Sequence, residues 1–243
     1  VPGEYEGVTW VIAAFGAAVL LQSLTQYLQF YLMQRAGQRA LYDLRQKVFY
    51  LIEMRLYQEA AAVGQRYLRV SEASPEDHMA IGNALRKSGE LGKAERFLQR
   101  AALTFPANPQ VKVELAQVYM ARQQFLAAAD LYGDAARLDP GFMSEAAEVY
   151  RRAGRLYQAL NFNAQVAEQE QKLKQRLAIL LQMEHYDRAA AMESALVRNG
   201  LLDNQDIRYA LAYAYFKSQR FDQAERHLQH LTRSSLFRKA AKL

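Results

Sequence analysis

Ala60, Ala94 and Ala128 stand 34 residues apart, and Ala159, Ala189 and Ala224 continue the series at spacings of 31, 30 and 35. A period of this length is one helical hairpin, which cannot bury its apolar face alone, so successive hairpins must stack and share a core. Such an array presents surfaces to other proteins rather than pockets for chemistry. The signature around the alanines shows how the hairpins pack. From Pro75 to Asn108 it runs Gly82, Leu85, Gly89, Ala94, Leu98, Ala101 and Pro106. Small residues let two helix backbones approach, Leu85 and Leu98 fill the space between them, and Gly89 permits the tight turn. The next unit repeats the pattern at the same offset with Ala116, Tyr119, Ala128, Tyr132, Ala135 and Pro140.

Three looser units follow: Ala147, Tyr150, Gly154, Leu156 and Ala159; then Leu177, Leu180, Tyr186 and Ala189; then Ala212, Tyr215, Phe221, Ala224 and Leu228. Before Pro75, Tyr57, Ala60 and Tyr67 form a joined repeat whose first helix is drawn from the segment ending near Arg55. The stretch Ser234 to Ala240 reads as a capping turn and the start of a terminal helix covering the last apolar face. This pattern resembles the tetratricopeptide repeat (TPR) family. The resemblance implies an all-α, TPR-type α-solenoid of about five to six helical hairpins, preceded by one long hydrophobic or amphipathic helix. Residues 161–200 and the run from Asp206 to Phe216 are further similar to TPR proteins encoded with bacterial TonB energy-transduction components.

Composition agrees with a helical array: 51% apolar and 23% charged residues, with only five prolines. The chain has no cysteine, so disulfides, thiol nucleophiles and iron–sulfur ligation are excluded, while the redox compartment stays open. The net charge is +6, of which the last eleven residues supply +4 through Arg233, Arg238, Lys239 and Lys242. No basic stripe with interleaved aromatics follows one helix face, so nucleic acid is not expected as the main ligand.

No charged residue occurs from Gly7 to Gln34, enough for the ~20 helical residues that cross a bilayer. Gln22, Gln26 and Gln29 share one side of this segment, and in lipid they would face other membrane helices rather than acyl chains. Trp10, Tyr27 and Tyr31 suit interfacial positions. The alternative is a soluble amphipathic helix packed on the array. The run from Tyr31 to Phe49, with Gly37-Gln38-Arg39 and Asp43-Leu44-Arg45, is similar to the second transmembrane helix of ABC exporters and its cytoplasmic extension. The remaining exporter helices and any Walker-type phosphate loop are missing, which is incompatible with an ATP-driven transporter. Residues 1–49 are therefore read as an exporter-like helix joined, by engineering or natural fusion, to an array spanning 50–243. Val1 in place of a start Met reads as a fragment or processed product. Glu4 and Glu6 precede the helix and Arg35, Arg39, Arg45 and Lys47 follow it, so the positive-inside rule places the array in the cytoplasm, against the inner membrane. The TonB resemblance implies a periplasmic array instead.

In TPR solenoids the first helix of each hairpin lines the concave face. The resemblance therefore selects as partner-binding candidates Asn83, Arg86 and Lys87; Gln117 and Met120; Glu148, Arg151 and Arg152; and Tyr209, Tyr213, Phe216 and Lys217. Asn83 falls where peptide-binding TPRs carry an asparagine that bonds the ligand backbone. Met79 stands where chaperone-tail clamps carry a lysine, which argues against that ligand. Arg86, Lys87, Arg151 or Arg152 would hold a carboxylate through charge-assisted bonds, and the tyrosines offer rigid apolar area with a polar tip. The partner expected is a protein or peptide segment.

No Gly-x-Ser-x-Gly elbow or phosphate loop appears, and no catalytic residue or cofactor is expected. His227 and His230 are three residues apart on a predicted helix, but two imidazoles are short of a zinc site even with Glu225, so no metal is expected.

Overall fold

The computed structural model describes residues 4–233 and Leu236, and among them every regular element is helical. The capping turn and terminal helix read at Ser234 to Ala240 lie outside the described residues, apart from Leu236, as do Val1 and the basic tail beyond Arg233. The chain divides into two compact units, residues 1–84 and 85–243.

The first unit contains α1 (Glu4–Glu53), α2 (Tyr57–Leu68) and most of α3 (Pro75–Lys87). α1 runs through Phe49 and Tyr50 without a break. Each described side chain from Trp10 to Ala40 is exposed. Its last turns are different: Leu41 and Leu44 are half-buried, Val48 and Leu51 are buried, and α1 packs there on α2 as the first helix of a hairpin. Gly64 lets α2 and α3 close up, since a Cβ there would stand 2.5 Å from Ile81 Cγ1. A polar cluster ties the three helices together. Asp77, 4% exposed, accepts from Arg45 Nε at 2.7 Å, from the Tyr67 hydroxyl at 3.1 Å and from the Ser74 amide at 3.1 Å. Burial pulls its carboxyl up, but these donors and the Arg45 charge outweigh it and hold Asp77 below the usual carboxylate range.

The second unit holds α4 (Leu91–Thr104), α5 (Pro109–Ala121), α6 (Phe125–Leu138), α7 (Met143–Arg152), α8 (Leu156–Ala164), α9 (Gln169–Gln182), α10 (Tyr186–Ala190), α11 (Glu193–Arg198), α12 (Gln205–Lys217) and α13 (Phe221–Gln229). Three first helices start with a side-chain cap, Asn108 accepting from the Val111 amide ahead of α5, Glu168 capping α9 and Asn204 capping α12, whereas α7 has none. Second helices have none, because each grows directly out of a turn that satisfies the preceding helix end.

Those turns are one motif used six times. Arg55, Gly89, Gln123, Gly154, Glu184 and Gln219 all adopt positive φ, between 59° and 85°. At each, the amide of the left-handed residue bonds the carbonyl three positions back and the next amide bonds the carbonyl five positions back, as in Gly89 N to Arg86 O at 3.1 Å and Glu90 N to Leu85 O at 3.0 Å. This is the Schellman arrangement, and it closes the orphaned carbonyls of the first helix. Five residues past each left-handed position stands a period alanine: Ala60, Ala94, Ala128, Ala159 and Ala189 are fully buried and Ala224 is 2% exposed. Each donates its amide to the residue just after the left-handed one, which makes the first turn of the second helix.

The core of the second unit has one cluster around Tyr132, Tyr150, Phe162 and Ile179, and another around Leu180, Leu196, Leu211 and Tyr215. α9 serves both through the adjacent Ile179 and Leu180. The second helix of the fifth hairpin is interrupted at Ala191–Met192, where the Met192 amide bonds the Ala189 carbonyl in a tightened turn, so α10 and α11 are separate.

Candidate functional site

In the second unit α7 packs on α9 and α9 on α12, so first helices stack side by side and their remaining faces form a continuous surface. Glu148, Arg151 and Arg152 stand on α7, and Tyr209, Tyr213, Phe216 and Lys217 on α12. Arg86 and Gln117 are half-buried and Lys87 is exposed. Burial pushes the Tyr132 phenol up, with the charges of Glu145 and Glu114 adding to the effect and Gln117 and Arg86 opposing it. Glu114, one helical turn before Gln117, is a residue the sequence did not single out. Its Oε2 is enclosed without a hydrogen-bond partner, and burial raises its carboxyl against the counteracting charges of Arg86 and Lys87. Met120 lines an adjoining cleft of about 350 Å³ together with Tyr132, Ser144, Glu145, Glu148, Val149, Arg152, Gln171 and Gln175. Asn83, half-buried, belongs to the first unit.

Glu148, Arg151 and Arg152 are brought together, and their arrangement decides which charge is available. Arg151 grips Glu148 with Nε at 2.9 Å and Nη2 at 2.8 Å, and Arg152 Nε adds a third bond at 2.9 Å. The Arg151 bond, reinforced by Arg152, holds the Glu148 carboxyl low despite burial. Arg151 Nη1 also donates to Gln182 at 2.8 Å, linking α7 to α9. Arg151 is thus committed within the chain. Arg152, its side chain 51% exposed, keeps its guanidinium end open. Gln182 was missed in sequence. The only signal was its place 31 residues after Arg151, on the matching turn of the next first helix.

At the C-terminal end the face is aromatic. Tyr213 meets the Tyr186 ring edge-on at 6.0 Å, Lys217 Nζ lies 5.6 Å above the Tyr213 ring, and Phe216 meets Phe221 at 5.6 Å. Tyr209 lies one turn before Tyr213, and burial raises its phenol.

A second ladder sits at the Tyr119, Tyr150 and Tyr215 positions, which from sequence are plain packing residues. Each hydroxyl meets a polar side chain of the preceding hairpin: Gln99 Nε2 donates to Tyr119 at 2.9 Å, Tyr150 donates to Asp130 at 3.0 Å, and Tyr215 donates to Glu193. Burial and the accepting carboxylate push the phenols of Tyr150 and Tyr215 up to about 12. His227, 8% exposed, stacks on Tyr215 and bonds Glu193 through Nε2 at 3.0 Å. His230 is exposed. Among the described residues no group of three His, Asp or Glu side chains is placed to hold a metal ion.

The tetratricopeptide repeat model matches residues 79–141 and 179–235. These two stretches carry TPR repeats. The structure of a TPR protein from Parabacteroides merdae is similar at a TM-score of 0.61 and 13% identity, covering 79% of this chain and 78% of that one. YrrB, described as a TPR protein with an unusual peptide-binding site, superimposes at a TM-score of 0.59 and 16% identity, over 75% of this chain and 100% of that one. A chain of the Naa15/Naa10 assembly bound to HypK-THB gives 0.58 at 11% identity, over 78% of this chain and 31% of that one. At these identities the likeness establishes the TPR-type solenoid fold. No curated protein matches the chain in sequence. α1 is the helix long and apolar enough to cross a membrane, by length and composition alone.

Proposed function

We propose that the chain is a non-catalytic scaffold that holds a peptide segment of a partner protein along the first-helix face of its second unit. The observation that carries this is the cleft beside Met120, where apolar Met120 and Val149 lie next to the open end of Arg152, while Ser144, Glu148 and Gln175 of the same lining are hydrogen-bonded within the chain. YrrB, a TPR protein of similar fold with an unusual peptide-binding site, supports the reading. Arg152 supplies a charge-assisted bond to a ligand carboxylate or carbonyl, Gln117 supplies an amide, and Tyr209, Tyr213 and Phe216 supply rigid apolar area. Arg86 and Lys87, beside Glu114, set the charge at the other end.

Tethering to a bacterial inner membrane through α1 is part of the proposal, supported by exposed side chains along an uncharged stretch longer than a bilayer requires. The basic residues after that stretch favour a cytoplasmic array over a periplasmic one. A role as accessory subunit of an envelope transport or TonB-type complex is favoured by Gln22, Gln26 and Gln29, exposed polar side chains on an apolar helix that would bond other membrane helices. The exporter-like run fits the same placement.

Selection of binding peptides from a displayed random library, followed by affinity measurement against Arg152→Gln, tests the face. The proposal expects peptides that lose about tenfold with the variant, the scale of one charge-assisted bond. Peptides that bind the variant equally well would remove the face from consideration.

A further inference from the structure

Away from the Met120 cleft, α11, α12 and α13 line an open cavity of about 220 Å³, with Arg226 and His230 exposed at its rim. It is lined by Arg208, Arg226, His227, His230 and Glu193, with glutamine amides from α13 between them. The charge here is unbalanced. Glu193 is the lining acid, and both its oxygens are occupied, Oε2 by the Tyr215 hydroxyl and Oε1 by His227. The two guanidiniums are each held through Nε to a backbone carbonyl, Arg208 to Leu202 at 2.9 Å and Arg226 to Asp222 at 3.4 Å. Among the described residues neither Arg208 nor Arg226 forms an ion pair, and the hydrogen bonds they make run from Nε alone. Arg208 and His230 both act on the His227 ring, and Arg226 and Arg220 act on the Tyr215 phenol, so the cationic groups lie close to one another.

Packing alone gives no reason to gather two guanidiniums and two imidazoles around one committed carboxylate, since like charges at close range repel. An anion resolves the imbalance. Pre-anchored guanidiniums with open Nη pairs match the two oxygens of an oxyanion, imidazolium adds charge when protonated, and the glutamine amides offer neutral donors.

We propose that this cavity is an oxyanion-binding site that takes a carboxylate or phosphoryl group of a bound protein partner. It is independent of what the first-helix face holds. Bound anion would favour the charged form of His227, which burial otherwise disfavours, so the imidazoles report occupancy.

The test follows the His227 and His230 ring signals of the full chain by NMR near pH ~6.5, the ordinary histidine midpoint. Inorganic phosphate and acetate are titrated in separate arms at ionic strength matched with sodium chloride. The proposal expects saturable shifts of both rings, a raised His227 midpoint, and affinity at least about tenfold weaker in Arg208→Gln/Arg226→Gln. Phosphate saturating ahead of acetate assigns the phosphoryl group, and the reverse order assigns the carboxylate. Shifts that follow ionic strength alone, or an undiminished response in a double variant with native circular dichroism, would overturn the site.

Discussion

The six left-handed turns allow a backbone term to be measured almost free of packing. Gly89 and Gly154 occupy two of them, and a Cβ added at either would meet nothing within 4 Å. Gln123, Glu184 and Gln219 hold the same conformation with a side chain, at φ near 60°. A left-handed L-residue costs roughly 1–2 kcal/mol. Glycine removes that cost but enlarges the unfolded ensemble by about 0.4–1 kcal/mol. The difference predicts that Gln123→Gly, Glu184→Gly and Gln219→Gly each stabilise by about 0.5–1 kcal/mol. The sites are in different hairpins with no shared contacts, so the triple variant should gain about 1.5–3 kcal/mol. Gly154→Ala should lose about 1 kcal/mol by the same strain. Urea unfolding with an unchanged denaturant slope gives the totals, and hydrogen exchange at the Gln124 and Ala128 amides localises the first of them to its own turn. If glycine at Gln123 and alanine at Gly154 both leave stability within error, conformational strain does not govern these turns and the reasoning fails.

Gly133→Ala should cost about 1–3 kcal/mol of overpacking, because its Cβ would stand 3.0 Å from the Tyr150 hydroxyl and 3.1 Å from Phe162; Gly92→Ala, whose nearest neighbour is Arg96 Nη1 at 3.9 Å, should cost nothing in the same denaturation assay. Burial lowers the His227 pKa, with Glu193 partly offsetting it, so the unfolded chain binds the extra proton first as pH falls. Its stabilising effect is therefore complete above about pH 6.5 and declines below it, and melting curves across that window should flatten in His227→Gln. If α1 anchors the chain, carbonate-washed membranes should retain the wild type and release much of Leu20→Arg/Leu24→Arg, since each arginine at mid-bilayer costs about 2.5–3.5 kcal/mol; equal retention would argue against a spanning helix.

The hairpin order was legible because a buried alanine at a helix crossing tolerates no larger side chain, so period and packing are the same signal. Gly89 and Gly154 advertised their turns, but Arg55, Gln123, Glu184 and Gln219 did not, since their left-handed conformation is imposed by the helices on either side. The Met192 interruption carries neither proline nor glycine and was invisible for the same reason. At the candidate face, the three- and four-residue spacings put Glu148, Arg151 and Arg152 on one helix side, where they hydrogen-bond one another. The sequence could not show that Arg151 is spent on Glu148 and Gln182 while Arg152 stays open, because that depends on how α7 meets α9. Glu114 and the Tyr215–Glu193–His227 cluster went unnoticed for a related reason: their chemistry arises between helices, where no local spacing records it.

The central claim is that the first-helix face of the second unit holds the partner. A photo-crosslinking amino acid at Gln117, Arg152 or Tyr213, compared with the exposed positions Leu103 and Tyr157 on second helices, tests it directly in cells of origin, with the joined peptides mapped by mass spectrometry. The account predicts that the three face positions capture adjacent stretches of one polypeptide and that Leu103 and Tyr157 do not. Capture of the same polypeptide from the second-helix positions, with none from the face, would contradict it.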